Sequence, residues 1–297
     1  MKVVIAGGSG FLGSSLAKSF RADHHQAIVL TRHPRGPDDV AWDPAVATGP
    51  WVGTIDGADA VINLAGYSLA TWPWTRAKKR MILESRLDAT RAVVGAIEKA
   101  KISPPVFVSA SAVGRYGAHG AEPLTEESPP GSDFLASVCV AWEAAALAAL
   151  SRTRTVLIRT GLVLDRADGV LPQMALPFRF FVGGRVGSGD QYHSWIHHDD
   201  WTRMVRWAID TPAVSGPLNA TAPNPVTNSA FTQALARTLH RPAMIPAPGF
   251  ALSLLLGEMG DALLLSGQRV LPAKATHGGF EFRFPFLDAA LQQLYRR

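Results

Sequence analysis

The chain begins with "KVVIAGGSGFLGSSLA", a β-branched apolar run that breaks into glycines and resumes with helical spacing. Gly7, Gly10 and Gly13 stand three residues apart between the two elements. Each position answers a steric demand: a tight turn, close approach of backbone to a pyrophosphate, and close packing of helix on strand. The helix that follows offers unpaired N–H groups and the positive end of its dipole to an anion. This opening commits the first unit to a parallel β–α arrangement and predicts a dinucleotide site.

The alternation continues. "QAIVLTR", "ADAVINLAG", "PVFVSAS" and "RTVLIRTGLVL" read as strands, and helices are predicted over 11–21, about 75–100 and 133–150. Strands apolar on both faces belong in a sheet covered on both sides, so the expected fold is α/β, a doubly wound parallel (Rossmann) sheet. Past about residue 170 glycine, proline and aromatic residues become frequent. A dinucleotide-binding domain over 1–170 and a smaller C-terminal α/β lobe over 171–297 are expected, with the strand near 216–222 returning to the sheet. The lobe's "FALSLLL" and "FEFRFP" carry too much apolar surface for water and are expected to pack. The cleft between the two parts is the natural place for a small-molecule substrate.

Composition closes off other classes. The net charge of +5 comes from 22 Arg and 7 Lys that are scattered, with no aromatic-interleaved basic stripe, which argues against nucleic acid. One cysteine, Cys139, excludes an intramolecular disulfide, and no Cys/His spacing suits a metal. The chain enters a strand at once, leaving no room for a signal peptide. The run "PAMIPAPGFALSLLLG" has 16 residues and three prolines, too short and broken to span a membrane. A cytoplasmic protein is expected, with its oligomeric state open.

Cofactor choice is set at the end of the second strand. There "VLTRHPR" offers Thr31 and Arg32, and no acid occurs before Asp38. A guanidinium at that point pairs with a 2′-phosphate, whereas a carboxylate would repel it, so the expected cofactor is NADP(H).

"GGSGFLG", "VINLAG", "VSASAVGRYG", "RTGLVL" and "SWIHHDDW" together resemble the extended short-chain dehydrogenase/reductases, the class of nucleotide-sugar epimerases and dehydratases. End to end, with "NATAP" and "GQRVLPAKATHGGFEFRFP" in order, the chain is similar to an epimerase-like subfamily often named for the bacterial protein YfcH. The resemblance implies that Gly7, Gly10, Phe11, Leu12 and Gly13 hold the pyrophosphate and that Thr31 and Arg32 meet the 2′-phosphate. It implies that Leu64, Ala65 and Gly66 line the adenine and ribose side and that Val163 packs near the nicotinamide. Arg86 either reaches the cofactor or pairs on its helix with Glu84 or Asp88. Ser111 matches the family's active-site serine or threonine. Trp195, His197 and Asp199 fall in a loop that either helps close the domain junction or takes part in catalysis. Trp72 and Trp74 either wall a pocket or stabilise a loop.

One family feature is missing. Extended members carry Tyr-x-x-x-Lys on the helix after strand five, followed by a glutamate, with both catalytic side chains on one helix face. Glu143 in "AWEAAA" matches that glutamate, which puts Cys139 at the lysine position and Leu135 at the tyrosine position. None of Tyr67, Tyr116, Tyr192 or Tyr295 has a lysine four residues on, and no lysine occurs between Lys101 and Lys274. The helix at 133–150 is therefore expected to serve as core, through Leu135, Val138, Cys139, Trp142, Ala146 and Leu150. Two function classes remain. One is an NADP(H)-dependent reductase or isomerase whose proton donor is Ser111, Tyr116, Cys139, water or the substrate. The other is a non-catalytic NADPH-binding sensor or partner-binding protein.

Overall fold

The computed structural model describes residues 1–46 and 48–296. Seven parallel strands form the central sheet: β1 (Lys2–Ala6), β2 (Gln26–Thr31), β3 (Asp39–Ala41), β4 (Ala60–Asn63), β5 (Val106–Ala112), β6 (Arg154–Thr160) and β7 (Gly216–Ala220). Their spatial order is β7-β6-β5-β4-β1-β2-β3. β1 lies between β2 and β4, with Val3 opposite both Ala27 and Ala60. The order reverses direction at β1, so a crevice opens beyond the carboxyl ends of β1 and β4.

The longer helices are α1 (Phe11–Ala22), α2 (Arg76–Lys99), α3 (Phe134–Leu147), α4 (Leu171–Arg179), α5 (His198–Asp210), α6 (Asn228–Leu239), α7 (Gly249–Leu256) and α8 (Leu287–Tyr295). Thr75 and Asp133 cap α2 and α3, accepting hydrogen bonds from the N–H groups of Lys78 and Ala136. Along β1 alternate residues serve opposite faces. Val3 and Ile5 pack with Leu16 and Phe20 of α1 and Trp201 and Met204 of α5. Val4 and Ala6 pack with Val93 and Ile97 of α2. That double burial is why the strand is apolar without interruption.

The C-terminal part is less separate than a boundary near residue 170 implies. β7 pairs with β6, and α5 and Phe280 share the core beneath α1. A third core, built on α4, α6 and α8 from Leu171, Phe178, Phe231, Leu235, Leu287 and Leu291, makes the lobe proper. "FEFRFP" packs as expected, because the Asp200 carboxylate accepts the N–H groups of Arg283 and Phe284 at 2.9 and 2.8 Å. "FALSLLL" does not. Phe250, Leu254 and Leu255 of α7 stay in solvent, because this two-turn helix packs through its other side.

Phe134–Ser151 is the one stretch among the described residues long and apolar enough to cross a membrane by length and composition. In the fold it is a working part of the interior: Ala146 and Ala149 join the core shared with α2.

Candidate active site

The glycine loop is built by exclusion. Gly7 has φ +77°, a left-handed conformation that side chains resist, and a Cβ there would lie 2.8 Å from the Ala65 nitrogen. A Cβ on Gly13 would meet the Gly7 carbonyl oxygen at 2.5 Å. Gly10 begins α1 with no side-chain cap, and the first turn holds no acid. The helix therefore presents bare N–H groups and an uncompensated dipole. Phe11 stacks on His198 at 5.3 Å between ring centroids, and Leu12 packs against the core below.

A cleft of about 370 Å³ runs from this loop toward β2 and β3. It gathers Gly7, Gly10, Thr31, Arg32, Leu64, Ala65 and Gly66, all expected from the sequence. Thr31 donates to the Ser9 hydroxyl at 3.2 Å and accepts the His33 N–H, which fixes the corner. Arg32 is exposed, and among the described residues it forms no ion pair. The fold also brings in Trp42, Asp43 and Pro44, which the spacing after β2 did not reveal because β3 returns beside it. Asp43 puts a carboxylate on this side, with Oδ1 accepting the Ala45 N–H.

A second cavity, about 290 Å³, opens on the other side of Gly66. The end of β5 contributes Ala112, Val113 and Gly114, and the end of β6 contributes Thr160 followed by Gly161 and Leu162. One wall is the face of α3, with Leu135, Val138, Cys139 and Trp142. Trp142 is pinned because Nε1 donates to Thr90 Oγ1 at 2.9 Å, an oxygen that also accepts Asn63 Nδ2 at 2.9 Å. Tyr192, His193, Ser194 and Gln268 close the cavity from the lobe. Tyr192 and His193 form a two-residue strand paired with Val226–Thr227, and segments this short carry no periodicity that marks them. Val163 does not line the cavity. It is buried beside Ile196, directly under Leu162.

The expectation for α3 needs amendment in two respects. Its apolar face borders a cavity instead of a sealed core, and Leu150, past the end of the helix, is exposed.

Two of the three candidate proton donors are engaged elsewhere. Ser111 is buried and donates to Glu143 Oε1 at 2.7 Å. Tyr116 is fully buried; its hydroxyl donates to Asn219 Oδ1 at 2.7 Å and accepts from Arg159 Nη1 at 2.8 Å. Burial also pushes the Tyr116 phenol up from its ordinary range. Neither side chain lines the cavity, because both complete an ion-pair network inside the sheet edge. Cys139 does line it. Burial first, and the Glu143 carboxylate second, raise its thiol to about 11. His193 is held neutral by burial, down to about 4, and its Nε2 meets Asn228 Nδ2 at 3.1 Å.

Arg86 pairs with neither Glu84 nor Asp88; Glu84 faces Arg80 at 3.6 Å. Its side chain crosses Gly66 onto the wall of the second cavity, with the guanidinium 5.1 Å from the Trp142 ring centroid. Burial lowers its pKa.

"SWIHHDDW" is a joint. His197 caps α5 by accepting the Asp199 N–H at 3.1 Å, and its Nε2 meets Gln293 Oε1 of α8 at 2.9 Å. Trp195 is fully buried, with Nε1 donating to the Asn224 carbonyl. Trp72 is exposed, and Trp74 Nε1 ties back to the Leu69 carbonyl at 2.9 Å. Neither lines the cavity, although Leu69 does.

Known proteins share this arrangement. Residues 3–220 match the NAD dependent epimerase/dehydratase family, and residues 247–294 match a domain of unknown function, DUF1731. The chain is 41% identical to the Arabidopsis thaliana "Epimerase family protein SDR39U1 homolog, chloroplastic", covering 99% of this chain and 86% of that one. It is 40% identical to the Bacillus subtilis epimerase family protein YfhF, covering 99% and 98%. Among solved structures, the human epimerase family protein SDR39U1 (isoform 2), crystallised with NADPH, superposes with a TM-score of 0.92 at 34% identity, covering 99% of each chain. MoeE5, in complex with UDP-glucuronic acid and NAD, shares the fold at 19% identity and a TM-score of 0.79 over 99% of this chain and 98% of that one. With the cradle, the switch point and the C-terminal block all present, this chain belongs to the NAD dependent epimerase/dehydratase family.

Proposed function

We propose that this chain binds NADP(H) along the crevice and acts as a reductase or isomerase on a small molecule held in the second cavity. The carrying observation is the junction at Gly66. A glycine cradle too tight for a Cβ at Gly7 and Gly13 leads, across the Arg86 side chain, into a mostly apolar cavity. The cradle suits a pyrophosphate, and Thr31 with the unpaired Arg32 suits a 2′-phosphate. The NADPH in the human relative's crystal structure supports the same choice.

When bound, the nicotinamide supplies or accepts hydride. The protein's part is to place and enclose. Gly7, Gly10, Phe11, Leu12 and Gly13 would hold the pyrophosphate, and Leu64, Ala65 and Gly66 the adenosine side. Thr160 and Leu162 would shape the nicotinamide end, with Val163 supporting from below. Cys139 is the candidate catalytic residue left facing the cavity, and near neutral pH it is an uncharged thiol that can donate a hydrogen bond.

The absence of the family's acid/base pair supports a second reading, in which the protein binds NADPH without turnover and acts as a sensor. Leu135 and Cys139 border the cavity where a phenol and an ammonium would stand. A positioned acid/base supplies about 10²–10⁴ in rate, so ordinary nucleotide-sugar chemistry is not expected. The single thiol suits a reducing compartment. The cytoplasm is our proposal, and the Arabidopsis relative's name carries "chloroplastic".

The test follows reduced-nicotinamide absorbance with the purified protein, NADPH and a panel of small carbonyl compounds, beside UDP- and GDP-sugars. Turnover of a carbonyl compound but of no sugar supports the first reading. NADPH binding with no turnover across the panel supports the second.

A further inference from the structure

We infer that Arg86 anchors an anionic group of the substrate, and that the second cavity takes a small apolar molecule carrying a carboxylate. The inference rests on reading that cavity as the substrate side of the dinucleotide site.

Hydrogen-bond accounting comes first. A guanidinium has five N–H donors. Arg86 Nη1 donates to the carbonyls of Tyr67 and Ile82 at 3.0 and 2.9 Å. Among the described residues, Nε and Nη2 have no protein acceptor, and no carboxylate lies within 4.0 Å. The unused edge is the one Arg159 presents to Glu143, through Nε and Nη2, elsewhere in this protein. That edge matches a carboxylate with two parallel bonds. Nη1, anchored to two carbonyls, holds the fork in place before any ligand arrives.

The surroundings sharpen the choice. Trp142 backs the guanidinium, and Leu69, Leu135, Val138, Leu162 and Leu263 supply the walls. Besides Arg86, the titratable groups lining the cavity are Cys139, Tyr192 and His193, none of them a carboxylate, so among the described residues the guanidinium has no acidic partner there. A cation in apolar walls gains more from an entering anion than it would in water. The volume, about 290 Å³, sits at the lower end of ligand pockets, which favours a compact acid. The cofactor's phosphates are a different destination: Arg86 does not line the cleft that holds the glycine cradle.

The experiment is calorimetric titration of the full-length protein, with and without NADP⁺, using straight-chain carboxylates from butanoate to decanoate and their matched amides. At least one acid is expected to bind about 10- to 150-fold tighter than its amide, the ratio for a charge-assisted contact. Arg86→Met should erase that preference while NADPH affinity changes less than about threefold. Amides binding as well as their acids, or no acid binding in either state, would overturn the inference. So would an Arg86→Met protein that loses NADPH affinity by the same factor as acid affinity, since Arg86 would then serve the cofactor. The acid-to-amide ratio needs no variant, so it stands even if Arg86→Met folds poorly. Should the wild-type protein fail to bind NADPH, the dinucleotide reading fails, and the titration without cofactor still decides the role of Arg86.

Discussion

Arg159 grips Glu143 with two parallel hydrogen bonds, Nε to Oε1 at 2.8 Å and Nη2 to Oε2 at 3.0 Å, where both residues are under 5% exposed. Ser111 adds a third bond to the same carboxylate, and Tyr116 and the Glu126 carbonyl occupy Arg159 Nη1. In a low-dielectric site a pair this well satisfied is costly to break from one side. We expect Arg159→Met to lose about 3 kcal/mol of stability in urea unfolding, the lower end of the range for a broken buried pair, because the Glu143 carboxylate is left with only Ser111 and Arg115, at 3.3 Å, as partners. The Arg159→Met/Glu143→Gln double variant should lose less than the sum of the two single variants. Strict additivity would show that the two side chains do not depend on each other.

The glycine cradle makes a steric prediction. In Gly13→Ala the new methyl would meet the Gly7 carbonyl, so the loop must shift. Overpacking of this kind costs about 1–3 kcal/mol, and the shift should weaken NADPH by tenfold or more. Gly95→Ala, in α2 with nothing near its Cβ, is the control and should bind NADPH normally. Equal affinity in both variants would remove Gly13 from the site.

Cys139 gives a pH signature. With its thiol raised from 9.0 to about 11, the thiolate fraction at pH 8 is about a hundredfold below that of a free cysteine. Alkylation by iodoacetamide should be at least that slow at pH 8 and should accelerate toward pH 11. The raised value also means that stability is retained below about pH 9 and declines as pH rises toward 11, because the unfolded chain releases its proton first. Alkylation that levels off near pH 8 would contradict this.

His193 gives the opposite sign. Its pKa falls from 6.5 to about 4, so the unfolded chain binds the proton first as pH drops. The stability His193 contributes is present above pH 6.5 and lost as pH falls toward 4, on the order of 2 kcal/mol after allowance for partial exposure at the cavity. His193→Phe should flatten the unfolding profile across that window. An unchanged profile would mean that the imidazole titrates freely.

Much of this architecture was legible because it rests on local rules. β1 reads as apolar throughout since both of its faces are covered, and the glycines at 7 and 13 stand where no Cβ fits. Leu64, Ala65 and Gly66 follow from their place at the end of β4. What stayed hidden depends on distant segments meeting. Tyr192, Ser194 and Gln268 reach the cavity from short segments of the lobe, and Asp43 reaches the cleft through the return of β3. Ser111 looked like a proton donor from its place on β5, but only the fold shows Glu143 taking its hydrogen. The exposed side of α7 is not legible in the sequence, because apolar composition does not say which face is covered.

The central claim, an NADP(H) site with Arg32 on the 2′-phosphate, is tested most directly by calorimetric titration of the wild-type and Arg32→Ala proteins with NADPH and NADH. A charge-assisted contact is worth about 1.5–3 kcal/mol, so NADPH should bind the wild type roughly 10- to 150-fold tighter than NADH, and Arg32→Ala should narrow that gap without weakening NADH. Equal affinities for the two cofactors in the wild type, or an Arg32→Ala protein that keeps its full preference for NADPH, would contradict the account.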